Sequence, residues 1–373
     1  MSLSCQPRTR AIDQGANMTI PTEMTGVQLT GHGGPERNLW NQHIPTPQPE
    51  RGMVLVKVLA AGVNNTDINT RVGWYAKEIA DSTADVAPNA QVKAGGWSGA
   101  LKFPRIQGSD LCGRVVAVGE GVADIKIAMR VTCPTNQPEP TPEAPTHFRS
   151  IGSEYDGAFA QFCLVPAKHL YDVSASPLTD VEIAAIPCAH GTALNLLTRA
   201  NVGKGDRVLV TGASGGVGLA AVELAQHLGA EVTGVTSNEK KDAVLSAGAH
   251  AILDRNTHPE NGAFTVAIDV VGGTGWAGVI DALAPGGRYA VSGAIAGPIV
   301  SADLRTIYLK DLTLFGCSFT PPTVFANLVR LVNAGQIKPL VSKTYPLAEI
   351  NSAQADFSAK RFPGKLVLLP PET

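Results

Sequence analysis

The chain has no CxxC pair. Its six cysteines, Cys5, Cys112, Cys133, Cys163, Cys188 and Cys317, are scattered along 373 residues. A disulfide scaffold or a structural zinc site spaces its cysteines closely, so reduced and mostly buried thiols are expected instead. There is no basic excess either. Lys and Arg number 30 against 32 Asp and Glu, a formal net charge of −2, which denies nucleic acid its electrostatic footprint. No uninterrupted apolar run reaches membrane-spanning length, and the opening MSLSCQPRTRAIDQG has no apolar signal-peptide core. Neither a nucleic-acid nor a membrane partner is expected, and the expected location is cytoplasmic.

What is present is glycine and apolar residue in a long chain. With 39 Gly, 44% hydrophobic and 17% charged residues, the composition suits a folded α/β protein. The length exceeds what one core ordinarily supports, so two domains are expected.

The first half reads as β-rich. MVLVKVLAAGV (53–63), GRVVAVGEGV (113–122) and GAFAQFCLVP (157–166) are strand-like runs ended by turn residues. PTNQPEPTPEAP (134–145) carries proline so often that an extended surface loop is expected. The segment 73–103 is long for a connection, the kind of loop that covers a site. TDVEIAAIP has Thr179 and Glu182 at capping-box spacing, with Pro187 interrupting the helix.

From Asp206 onward the rhythm changes. RVLVTG, EVTGVT, HAILD, FTVAIDVVG, GRYAVSG and DLTLFGC alternate with helical stretches such as GGVGLAAVELAQHLG and GWAGVIDALAPGG. Such alternation predicts a doubly wound parallel sheet. After Thr320, a helix opened by proline and closed by Gly335 leads to IKPLVSKTYPL and GKLVLLP, which resemble the first half. The β-rich domain is therefore expected to be discontinuous, 25–187 with 321–373, around a dinucleotide domain at 188–320. An N-terminal arm, 1–24, has no assigned function.

VLVTGASGGVGLAAVELAQ sets Gly212, Ser214, Gly215, Gly216, Val217 and Gly218 between an apolar strand and an apolar helix. Glycine tightens that turn and lets backbone N–H groups reach a pyrophosphate at the helix N-terminus. An ordinary βα turn looks similar, but here the loop opens the whole α/β run, so dinucleotide binding is favoured. An NAD site usually ends the next strand in Asp or Glu, about 20 residues on. EVTGVTSNEKK offers Ser237 and Lys240 there, which suits a 2′-phosphate and favours NADP(H). Ser237 as a plain helix cap is compatible with that reading.

AAGVNNTDINTR, GSDLCGRVVAVGEGV, YDGAFAQFCLVPA, VLVTGASGGVGLAAVELAQHLGA and LAPGGRYAVSG, in this order, resemble the medium-chain dehydrogenase/reductase superfamily, most closely its zinc-free quinone-oxidoreductase-like branch. The resemblance runs from about Val27 to Pro370. It implies a GroES-like β-rich catalytic domain with an inserted Rossmann domain, and a homodimer. Where the zinc enzymes of that superfamily hold their metal, it puts Asn64 at the first ligand position, Ser109 at the second and Cys188 at the last. Cys188 and Asp110 leave the usual ligand set incomplete, so no metal residue is assigned. The resemblance implies Asn64 and Asp67 near the nicotinamide, with Tyr75 as a donor. It also brings Thr192, Val270, Ser292, Gly293, Ala294 and Ser318 to the cofactor. A purely structural role for Asp67 and Arg71, satisfying backbone groups, stands beside this. Trp74 and Trp97 would line an aromatic pocket, and His190 is an acid or a structural hydrogen-bonder.

The expected function is NADPH-dependent hydride transfer to a quinone, enone or other conjugated carbonyl without catalytic zinc. A zinc alcohol dehydrogenase with an atypical ligand set and a dinucleotide-binding module with little turnover are the alternatives.

Overall fold

The computed structural model describes residues 20–87, 92, 95–97 and 99–372, and its strands fall mainly into two large sheets. Six parallel strands form the second sheet. Along it lie Ala251–Asp254, Glu231–Thr236, Arg207–Val210, Phe264–Asp269, Leu283–Val291 and Thr313–Gly316. In chain order that is 3-2-1-4-5-6, the doubly wound Rossmann arrangement, with its crevice where the order reverses. Val208 and Val210 pack on one side of the sheet and Leu209 on the other, and all three are fully buried. A strand buried on both faces has no polar alternation, which is why RVLV reads as a continuous apolar run.

The first sheet is built around Met53–Gly62. This strand pairs antiparallel with Asp110–Val118 and with Phe162–Pro166. It also takes the strand Lys365–Leu369, which in turn carries Val341–Pro346 in parallel. The end of the chain thus returns to the β-rich GroES-like unit. That return brings Lys365 beside residues about 300 positions earlier. We propose domain limits at 25–187 with 321–373, and at 188–320. Helix Pro187–Arg199 starts at that joint with proline in its first turn, and Leu194, Leu196 and Leu197 join the core around Val208. Among the described residues no helix is long and apolar enough to cross a membrane.

Two expectations are corrected. The proline-rich stretch 134–145 is not all exposed loop. Asn136–Pro138 is a buried strand paired with Phe148–Ser150, and a two-stranded ribbon leaves proline one side without a required N–H. GWAGVIDALAPGG is helical only over Trp276–Asp281; from Leu283 the chain is strand, with a register shift beside Pro285 and Gly286. Residues 1–19 of the expected arm 1–24 lie outside the described residues, and the strand Glu23–Leu29 takes in its last two positions.

Candidate active site

Where the strand Met53–Gly62 leaves the core, the polar burst NNTD turns the chain into helix Asn65–Val72. Asn64 is the N-cap, in extended conformation, and its backbone N–H donates to Asp67 Oδ2 at 2.8 Å. That bond satisfies one of the orphan groups at the helix start. Arg71 points away from the cleft, donating to Gln354 Oε1 and to Gly33 O, and so clamps the helix to its surroundings. Asp67 is buried, and burial raises its carboxyl to about 7; the Asn64 N–H opposes the shift and the Asp110 charge adds to it.

The side chain of Asn64 enters a closed polar ring. Its Nδ2 donates to Asp110 Oδ2 at 2.9 Å, while its Oδ1 accepts from Lys365 Nζ at 2.6 Å. Lys365 Nζ also donates to Asp110 Oδ2 at 2.9 Å and to Val63 O at 3.0 Å. The other Asp110 oxygen accepts from the backbone N–H of Cys188 at 2.6 Å. Asp110 is wholly buried and Lys365 almost so. A buried charge pair is tolerable only when the remaining donors and acceptors are met, as here. Lys365 was not singled out in the sequence, because GKLVLLP reads as an ordinary strand.

The same neighbourhood is where the resemblance places a metal site. Its donors are Asn64, Ser109, Asp110 and Cys188, and the Lys365 ammonium stands among them. Burial, with the Asp110 charge second, pushes the Cys188 thiol up to about 12. A cation already occupies the carboxylate, so this set does not fit a catalytic zinc. Among the described residues no three His, Cys, Asp or Glu side chains converge on a metal position.

One cleft of about 1130 Å³ between the two units is lined by Asn64, Tyr75 and all the predicted cofactor residues: Thr192, Gly212, Ser214–Gly218, Ser237, Lys240, Val270, Ser292–Ala294 and Ser318. Asp67 is not on its wall. It borders a small polar cavity behind the helix start, with Thr66, Gln107 and Ser109. At the glycine loop, Gly212 has φ +58°, and a β-carbon on Gly218 would come within 2.2 Å of Gly212 O. Both positions therefore require glycine, and the helix Gly216–His227 can present its first N–H groups to an anion. Buried Asp269 shapes the opposite turn by accepting from Thr211, Tyr289 and the Val271 and Gly272 N–H groups.

The far end of the cleft is cationic. Lys240, Arg255 and Lys360 all line it, and Lys240 Nζ donates to the Lys360 carbonyl. Burial of its ammonium, with Lys240 as second cause, lowers Lys360 to about 8; burial also lowers Lys240. Ser237 is the N-cap of the short turn Asn238–Lys240 but makes no side-chain cap bond. Arg255 and Lys360 were not foreseen. Arg255 follows a different strand, and Lys360 lies 120 positions past Lys240.

At the other end, Trp74, Tyr75, Trp97 and Phe148 form a chain of edge-to-face rings 5.5–6.0 Å apart. Burial raises the Tyr75 hydroxyl above its ordinary range, so it stays protonated. The described part of the segment 73–103 crosses the cleft, with Thr83 N–H donating to Ile295 O at 3.1 Å. His190 is turned away: it is buried, absent from the cleft wall, and its Nε2 lies 3.0 Å from Glu223 Oε2.

The family model described as "Zinc-binding dehydrogenase" matches residues 216–334, and that described as "Alcohol dehydrogenase GroES-like domain" matches 50–175. An acryloyl-coenzyme A reductase of Metallosphaera sedula is 28% identical over 92% of this chain and 99% of its own. A quinone oxidoreductase of Mus musculus is 27% identical over 93% and 98%. The crystal structure of a Sinorhizobium meliloti 1021 protein superimposes with a TM-score of 0.84 at 39% identity, covering 95% of this chain and 98% of that one.

Proposed function

The chain belongs to the medium-chain dehydrogenase/reductase superfamily, and from that premise we propose that it is an NADPH-dependent reductase of quinones and α,β-unsaturated carbonyls that works without catalytic zinc. The observation that carries this reading is the Lys365 ammonium, held by Asn64, Asp110 and Val63 where the zinc enzymes would seat their metal. Membership supports an oxidoreductase that uses a nicotinamide dinucleotide. The choice of NADPH is supported by Ser237, Lys240, Arg255 and Lys360 around one end of the cleft, a setting for a 2′-phosphate.

When bound, the nicotinamide supplies the hydride. The chain's own part is positioning and electrostatics. Hydride arriving at a conjugated carbon pushes the π pair onto the carbonyl oxygen, and Asn64, on the cleft wall, donates to that oxygen. Tyr75, protonated at working pH, supplies or relays the proton that completes the reduction. The aromatic chain Trp74–Tyr75–Trp97–Phe148 favours a flat conjugated acceptor and excludes water. We propose that the described part of segment 73–103, whose Thr83 reaches Ile295, covers that acceptor. Asp67, behind the wall, supports the Asn64 backbone.

We also propose a homodimer. Strand Thr313–Gly316 is the sheet's edge, and Ile299, Leu304, Tyr308 and Leu309 are exposed beside it in sequence.

The test is NADPH oxidation by chelator-treated protein across quinones, enones, enoyl thioesters and saturated aldehydes, with NADH alongside. Turnover confined to conjugated acceptors and faster with NADPH is expected. Activity only with saturated aldehydes, and only after zinc is added, would instead make it a zinc alcohol dehydrogenase.

A further inference from the structure

Three hydrogens on an ammonium meet three acceptors at Lys365: Val63 O, Asn64 Oδ1 and Asp110 Oδ2, at 3.0, 2.6 and 2.9 Å. None is left for a ligand, although Lys365 lines the cleft and Asp110 does not. The pair is therefore a dipole whose positive end faces the reacting space and whose carboxylate lies behind it, out of water. Its position is fixed from two sides. The lysine stem passes under Gly216, where a β-carbon would come within 2.9 Å of Lys365 Cδ. Just before it, Gly364 N–H donates to Ser214 O at 3.0 Å.

We propose that Lys365 is the resident cation of this site, a positioning residue that takes the place of a metal ion and acts on the acceptor oxygen through Asn64. The inference rests on the conjugated-acceptor reading. Lys365 holds the amide oxygen of Asn64, so the amide N–H groups become better donors. One of them goes to Asp110. The other is held only by long contacts, 3.4 Å to Ser109 Oγ and 3.5 Å to Gly62 O, so little is lost when it turns to an enolate or hydroquinone oxyanion in the cleft. Negative charge gathers on that oxygen as hydride adds to the conjugated carbon, and it gathers beside the positive end of the buried dipole. Fixed dipoles of this kind need no reorganisation during the step.

The test has two arms. In the first, cobalt(II) is titrated into the apo protein and the thiolate-to-cobalt absorption band is followed. The expected result is no band in the wild type, because the Lys365 ammonium already holds the Asp110 carboxylate. A band in the wild type overturns the proposal whatever the protein reduces. In the second arm, Lys365→Met is combined with Asp110→Asn, so that no unpaired charge is buried and the protein folds. Enone kcat should fall on the order of 100-fold, the scale of losing one oxyanion donor. NADPH affinity should stay unchanged. Quinone turnover should fall less, because its anion is less basic and needs less help. Enone turnover equal to wild type in that double variant overturns the proposal. A wild type inactive on every conjugated acceptor refutes the functional reading instead, and the cobalt arm then decides the lysine.

Discussion

Lys365 Nζ and Asp110 Oδ2 stand 2.9 Å apart, the carboxylate wholly buried and the lysine almost so, joined across 255 positions of chain. Each charge is tolerable only because of the other. Lys365→Met alone should therefore lower the unfolding free energy by about 3–5 kcal/mol, the cost of leaving one buried charge unpaired. Adding Asp110→Asn should restore most of it. Urea unfolding of the two single variants and the double measures the coupling directly, and additive losses would show that the pair does not act as a unit.

On the proposed reading, the cationic end of the cleft separates the two nicotinamide cofactors. Lys240→Ala should weaken NADPH by more than about tenfold and NADH by less than about twofold, since only one carries a 2′-phosphate for a charge-assisted bond. Fluorescence titration reads both. Lys360 titrates near 8, so it is charged at pH 7 and loses its charge as pH rises. NADPH affinity should fall between pH 7 and 9, and Lys360→Met should flatten that fall. Equal losses for NADH and NADPH would remove this end of the cleft from phosphate recognition.

On the proposed reading, acceptor selection belongs to the aromatic chain. Trp97 lies between Tyr75 and Phe148 at ring distances of 5.8 and 6.0 Å. Trp97→Ala should raise KM for bulky flat acceptors by roughly tenfold, from the loss of ring packing, and leave the NADPH dissociation constant alone. A change confined to NADPH would contradict that division of the cleft.

Much of this could be read before folding. The glycine loop and the six strands after Asp206 declare themselves because each signal is local: period, turn residue, helix start. The capping pair is local too, with Glu182 N–H donating to Thr179 Oγ1 at 3.2 Å and Thr179 N–H donating to Glu182 Oε2 at 2.8 Å. Lys365, Arg255 and Lys360 were not legible. Each is an ordinary residue in its own segment, and only the return of the chain end to the first sheet sets Lys365 against Asn64. The buried ribbon at Asn136–Pro138 was hidden for a different reason. Proline argues against a strand interior but not against a two-stranded edge.

The homodimer is checked at the exposed rim beside the sheet edge. Leu309 is 72% exposed, which is unusual for a leucine among other exposed apolar residues. Leu309→Glu should place a charge in the proposed interface and shift the protein to monomer in light scattering. A wild type that is already monomeric at micromolar concentration refutes the interface.

Asp67 gives the fold a pH dependence of predictable sign. Its carboxyl titrates near 7 in the native state and near 3.8 when unfolded, so between these values the native state holds the extra proton. Where the native state binds more protons, stability falls as pH rises. The contribution should thus be lost across pH 4–7 and be constant above it. The residue is only 4% exposed, so little of the effect is screened by solvent. Three pKa units correspond to an upper bound of about 4 kcal/mol. Asp67→Asn keeps an oxygen to accept from the Asn64 N–H while removing the titration. Its stability relative to wild type should accordingly rise from pH 4 to pH 7 and then level off, measured by urea unfolding at each pH. A difference that is flat across that range would mean Asp67 is ionised in the folded protein and finds a cation or solvent behind the helix start.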